Sequence, residues 1–327
     1  MIWLVGRAGM LGRLVEQELI EAELAYHASG RECDVTEPGS IEAASPEVAP
    51  RWVINCTGYT AVDTAESDVD SAWRVNQHGV AQLANYCRAV RERLLHISTD
   101  YVFDGANRKG YGERAATAPQ NVYGASKLAG EQVLRSELTE HVIIRTAWLY
   151  AEHGRNFLRT ILRMLRDNGE LTIVSDQYGS PTYARDLARA IVTVVESAHP
   201  GYGTFHFVNT GVASWHEFAD EIQSCALDLG LTTARKSILP VSSDRFPTAA
   251  ARPKYSVLLC SRIAERYPVY LRPWQQALRD CMERLSSMQP GGAPTNGSGE
   301  GHANGQYTNG RHANGRHRTS GSYAARR

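Results

Sequence analysis

The stretch MIWLVGRAGMLG at residues 1 to 12 constrains the fold of this chain more than any other. Its first five residues are apolar and read as a buried strand. Gly6, Gly9 and Gly12 follow at three-residue spacing, and MLGRLVEQELIEA then carries the 3.6-residue period of an amphipathic helix. Glycine lets the backbone turn tightly and come close to a pyrophosphate, and the helix start offers free N–H groups to the anion. A glycine triplet is common by itself. Placed between a strand and a helix, it reads as a dinucleotide-binding loop.

Apolar runs and helical patterns alternate beyond it. RWVINCTG reads as a strand, AWRVNQHGVAQLANYCRAV as a helix and LLHIS as a strand. NVYGASKLAGEQVLRSEL then reads as a helix and HVIIRTAWLY as a strand. Such alternation predicts an α/β fold, a doubly wound parallel sheet of Rossmann type. After about residue 150 helices dominate, among them NFLRTILRMLRDNG and WHEFADEIQSCALDLG. The expected organisation is a dinucleotide-binding domain at 1–150 and a smaller substrate-binding region at 151–288, interleaved with late sheet elements. Residues 289–327 are rich in Gly, Asn, His and Arg and nearly free of aliphatic side chains, so a disordered tail is expected there.

Composition narrows the partners. The 327 residues hold 35 basic and 35 acidic side chains, so no global field attracts nucleic acid. No apolar run approaches the roughly 20 residues that span a bilayer. The first residues lack a basic region, so they are not expected to be a secretory signal. The cysteines are Cys33, Cys56, Cys87, Cys225, Cys260 and Cys281, with no metal-ligand spacing among them. They read as reduced thiols of a cytoplasmic protein.

An NAD site usually places an acid at the end of the second strand. Here that region, near His27 and Ala28, has none, and Ser29 and Arg31 follow as candidates for a 2′-phosphate. NADPH is therefore favoured, with NADH as the alternative. The cofactor is assigned to Gly6, Gly9, Met10, Leu11 and Gly12, to Asp34 and Val35, to Gly58, Tyr59 and Thr60, and to Tyr123 and Lys127.

Tyr123 and Lys127 stand one helical turn apart in NVYGASKLAGE. On spacing alone such a pair is more often a solvated helix face than a site. Upstream, however, HISTDYVFDG ends a strand in Ser98, Thr99 and Asp100, and ligands of open α/β sheets sit at strand C-terminal ends.

With these stretches the chain resembles the extended short-chain dehydrogenase/reductases, and within them the dTDP-4-dehydrorhamnose reductase family. GRAGMLG, YTAVDTAES, STDYVFDG, NVYGASKLAGE, RTAWLY, NFLRTILRM, DQYGSPTYARDLA and SWHEFADEI carry the resemblance over residues 1 to about 285. It implies reduction of a dTDP-4-keto-6-deoxy sugar nucleotide. Tyr123 would be the general acid, Lys127 its electrostatic tuner and Thr99 a donor to the carbonyl oxygen. Thr99, Asp100, Trp148, Asn156 and Arg252 would contact the substrate, Arg252 at the diphosphate. The family's Mg²⁺-bridged dimer uses glutamates. Leu14 stands where one would be expected, so no metal is predicted, and a homodimer stays open. RPKYS places Tyr255 where the family often has Asn. Three other readings stay open. A 4,6-dehydratase would need a second acid after Asp100, and this chain has Tyr101. A reductase of a related 4-keto sugar fits the same motifs. So does a non-catalytic NADP-binding regulatory subunit of the methionine adenosyltransferase type.

Overall fold

The computed structural model describes residues 1–167 and 170–288. The tail expected at 289–327 lies outside them. The N-terminal part sets out strand and helix in turn. β1 is Ile2–Val5, α1 Met10–Glu21, β2 Tyr26–Ser29, β3 Trp52–Asn55, α2 Gly79–Val90, β4 Arg93–Thr99, α3 Val122–Glu137 and β5 His141–Thr146. Further along come α4 (Phe157–Asp167), α5 (Ala184–Glu196), β6 (Gly203–His206), α6 (Trp215–Asp228) and α7 (Trp274–Ser287).

Six parallel strands form one sheet in the order β6-β5-β4-β3-β1-β2. Period-two alternation sends successive side chains to opposite faces. Leu4, Ile54, Leu95 and Ile144 meet α1 and α5 on one face. Val5, Val53, Leu94 and Ile143 meet α2 and α3 on the other. β1 and β3 are almost wholly apolar because both faces are covered. α4, α6 and α7 build a separate apolar cluster around Leu158, Phe218 and Leu278. Helix α6 starts with a capping box, in which Ser214 and Glu217 exchange side-chain and backbone bonds.

Two segments depart from the predicted elements. The helix expected over 72–90 contains a wide turn at Arg74–His78 before α2. The strand expected over HVIIRTAWLY stops at Thr146, because Trp148 takes φ +48°, and resumes only at Leu149–Tyr150. A left-handed backbone cannot continue a ladder.

No helix among the described residues is long and apolar enough to cross a membrane. All six cysteines are unpaired, and burial raises the thiols of Cys33, Cys56, Cys87, Cys225, Cys260 and Cys281. They are kept protonated and therefore poorly nucleophilic.

Candidate active site

The chain runs outward from β1 to β2, then crosses back to place β3 on the other side of β1. A crevice opens at such a switch point. Gly6 turns there with φ +90°, and a Cβ on it would lie 2.9 Å from the carbonyl carbon of Cys56. A Cβ on Gly12 would fall 2.2 Å from Gly6 O. Any larger residue at either position would push the loop off α1 or off the end of β3. A cavity of about 420 Å³ opens beside this loop.

The cavity collects most of the residues picked out in the sequence. Gly9, Met10 and Leu11 line it from the glycine loop, and Gly58 and Thr60 from beyond β3. Thr99 and Asp100 enter from the end of β4, Tyr123 and Lys127 from α3, and Trp148 from beyond β5. Helix α3 is aimed by Asn121. Its Oδ1 accepts from the Gly124 N–H at 2.7 Å, and its Nδ2 donates to Ala251 O at 2.7 Å.

Burial pushes the Tyr123 phenol up to about 12. The neighbour that pulls it back is the Thr99 hydroxyl, through a hydrogen bond, and not Lys127, as the pairing implied. The reason lies in where the lysine points. Its Nζ donates to Ile97 O at 2.6 Å and lies 3.3 Å from His96 Nε2. Burial also brings Lys127 down to about 8, against the pull of Glu131 one turn along. Both groups are thus displaced toward their uncharged forms by the dry setting.

Asp100 is buried, and burial lifts its carboxyl to about 6. Its Oδ1 accepts from Thr99 at 3.0 Å, while Oδ2 has no partner. A buried, unpaired carboxylate oxygen on a cavity wall calls for a hydrogen-bond donor from a ligand. Thr146, directly across from Thr99 on β5, also lines the cavity with an unpartnered hydroxyl.

Trp148 owes its position to its unusual backbone and to two neighbours. Its ring stacks on Trp215 with centroids 3.4 Å apart and planes within 5°. A Cβ on Gly179 would come within 2.5 Å of the indole. The ring therefore fits only because residue 179 has no side chain. We expect Gly179→Ala to raise the KM for whatever substrate enters the cavity by about tenfold or more through displacement of this wall. Cofactor affinity should stay within about twofold, since the glycine loop is untouched. Steady-state kinetics beside cofactor titration checks both.

The remaining predicted residues lie elsewhere. Asp34 closes a turn by accepting from the Thr36 N–H and hydroxyl at 2.9 and 2.8 Å. Val35 is buried under Gly79. Tyr59 is clamped by Asn76, which accepts from its N–H and donates to its carbonyl. Asn156 bonds the carbonyls of Ala151 and His153 and lines a neighbouring cavity instead. Arg252 is held bidentately by Asp63 at 2.7 and 3.0 Å and is not among the residues lining the cavity beside the glycine loop. Ser29 is buried and cannot receive a phosphate. Its hydroxyl accepts from Trp3 Nε1 and donates to Ala44 O. Arg31, by contrast, is exposed.

Several positions escaped the sequence reading. Ser256 lies near Asp100 and pulls its carboxyl down, and Arg155 lines the cavity. Thr146 had a signal, a hydroxyl at a strand end like Thr99. Arg155 and Asn76 had none.

A family model described as RmlD substrate binding domain matches residues 1–287. The chain belongs to this RmlD family. A probable dTDP-4,6-dihydroxy-2-methyloxan-3-one 4-ketoreductase of Streptomyces antibioticus is 40% identical over 86% of this chain and 94% of its own length. A dTDP-4-dehydrorhamnose reductase of Streptomyces griseus is 39% identical over 86% of this chain and 93% of its own. Among solved structures, dTDP-4-dehydrorhamnose reductase of Bacillus anthracis in complex with NADP superimposes with TM-score 0.81 at 36% identity, covering 86% of this chain and 98% of that one. This RmlD-family chain is thus a reductase built on a Rossmann-like sheet.

Proposed function

We propose that the chain reduces the 4-keto group of a dTDP-4-dehydro-6-deoxy sugar with NADPH, forming dTDP-L-rhamnose from dTDP-4-dehydrorhamnose. The observation that carries this is the convergence of Thr99, Tyr123 and Lys127 on one cavity beside the glycine loop. The residues around that cavity suit a nicotinamide dinucleotide. Gly6 and Gly12 leave backbone space that a Cβ would fill, and the start of α1 faces the opening. Gly9, Met10 and Leu11 would hold the pyrophosphate, and Lys127 the nicotinamide ribose. When bound, the reduced cofactor supplies a hydride to the ketone carbon.

The rest falls to the chain. With its hydrogen turned from Asp100 to the ketone, Thr99 donates to the carbonyl oxygen, where negative charge develops, and so stabilises it. Tyr123 then passes its phenolic proton to that oxygen. A protonated Lys127 would favour the phenolate that remains only by turning its Nζ from Ile97 O toward the phenol. Asp100 accepts from a sugar hydroxyl through its unpaired oxygen, and Trp148 forms the flat wall against the ring. Arg252 would approach the diphosphate only by exchanging its partner Asp63. The same reading carries a cytoplasmic location with it.

A second substrate is favoured by a specific finding. The Streptomyces antibioticus relative at 40% identity is named for a different dTDP-linked ketone, and a Streptomyces niveus relative at 38% identity is named dTDP-4-keto-6-deoxy-D-glucose reductase. Trp148 on the cavity wall, and Tyr255 where the family often has Asn, would then select the sugar. Purified protein incubated with NADPH and each dTDP-4-keto-6-deoxy sugar decides the matter by product identification. Turnover of dTDP-4-dehydrorhamnose is expected. Tight NADPH binding without turnover of any of them would favour the regulatory-subunit reading.

A further inference from the structure

Behind Lys127 lies a chain of hydrogen bonds that the reaction described above does not use. Asn55 ends β3, and His96 is its register partner on β4. Both are fully buried. Asn55 Oδ1 accepts from the Thr57 N–H at 2.9 Å and from the Thr57 hydroxyl at 2.6 Å. Asn55 Nδ2 lies 3.1 Å from His96 Nδ1, and His96 Nε2 lies 3.3 Å from Lys127 Nζ.

These contacts fix the direction of every proton. A backbone N–H can only donate, so the amide oxygen of Asn55 must face Thr57. Its NH₂ group must then face His96, and Nδ1 must be the acceptor. The neutral ring therefore carries its hydrogen on Nε2, pointed at the lysine. An ammonium group offers only hydrogens and cannot accept from it. A neutral amine can.

We propose that Thr57, Asn55 and His96 form a polarity-fixed chain whose Nε2–H end favours the amine form of Lys127, making His96 a positioning residue that sets the pH range of the Tyr123–Lys127 pair. Other groups acting on the lysine fit this balance. Glu131 on α3 favours the ammonium, as does any thiolate at Cys56 beyond β3. Tyr123, on the same helix, lines the same cavity. The ring itself stays neutral, because burial and then the lysine's charge hold it far below the ordinary histidine range. The proposal rests on Tyr123 and Lys127 acting as the proton pair. Its structural half can be read without turnover.

The test combines imidazole ¹⁵N NMR with pH profiles, both on the full chain with NADPH. His96 is assigned by the signals that vanish in His96→Gln. We expect a protonated Nε2 and a bare Nδ1 across neutral pH. In Asn55→Asp the carboxylate still accepts from Thr57 but has no hydrogen to give, so the tautomer should reverse. Nε2 then accepts from the ammonium, and the high-pH limb of kcat/KM should move up by about one pH unit. The added charge would also act through space, so the substitution is repeated in the His96→Gln background, where the shift should shrink. A wild-type ring protonated on Nδ1 would overturn the proposal even if Asn55→Asp fails to fold. An unmoved limb after tautomer reversal, or an equal shift without His96, would overturn it too.

Discussion

Replacing Tyr123 with Phe should lower kcat by about 10²–10⁴-fold, the usual contribution of a general acid. NADPH affinity should hardly change, because in the proposed reaction the lost hydroxyl meets the ketone and not the pyrophosphate loop. The phenol has no substitute nearby. Thr99 shares its hydroxyl with Asp100 and with the Tyr101 N–H. Asp100 is ionised at neutral pH, since burial lifts it only to about 6. Single-turnover kinetics beside fluorescence titration of the cofactor separates the two quantities. A kcat within a few-fold of wild type would remove Tyr123 from the role of acid.

The largest expected effect on stability lies one turn beyond Lys127. Glu131 is fully buried and accepts from Arg145 twice, at 2.8 and 2.7 Å, from Arg135 at 2.6 Å and from Ser98 at 2.6 Å. Burial alone would raise its carboxyl, but the Arg145 bonds outweigh this and leave it below the usual carboxylate range. Its contribution is therefore in place at neutral pH and is lost as pH falls through that lowered value. Glu131→Ala strands Arg145, itself buried, and should cost about 3–5 kcal/mol. For a body of this size that is a fall in Tm on the order of 10 °C. Pairing Glu131→Leu with Arg145→Met should recover much of the loss, since no charge is then left alone. Thermal unfolding of the single and double variants gives the comparison. A double variant no more stable than Glu131→Ala would show that the loss comes from packing.

How much of this was legible beforehand depended on whether a residue's role is local. The glycine loop, Thr99, Tyr123 and Lys127 announce themselves because strand, turn and helix periods place them without knowledge of distant contacts. Arg252 shows the limit. A guanidinium suits a diphosphate, but Asp63, 189 positions away in sequence, binds it first. Ser29 looked available for the same kind of reason, until Trp3 and Ala44 claimed its hydroxyl. Trp148 was visible as a residue but not as a conformation, because its left-handed backbone depends on Trp215 and Gly179. The tuning of Tyr123 needed the direction of the lysine side chain, which a four-residue spacing does not give.

The pairing of Thr99 with Thr146 across adjacent strands has a bearing on how such a protein can change. The hydroxyl proposed to meet the ketone, Thr99, and its neighbour Thr146 are set by the ladder of the sheet. A one-residue slip would turn them away and expose the core face with them. The surfaces proposed to select the sugar have no such tether. Trp148 follows a broken strand, Gly179 closes a two-residue one, and the segment around Tyr255 is an irregular loop. Evolution can therefore rework which sugar is admitted while the reduction step is inherited intact.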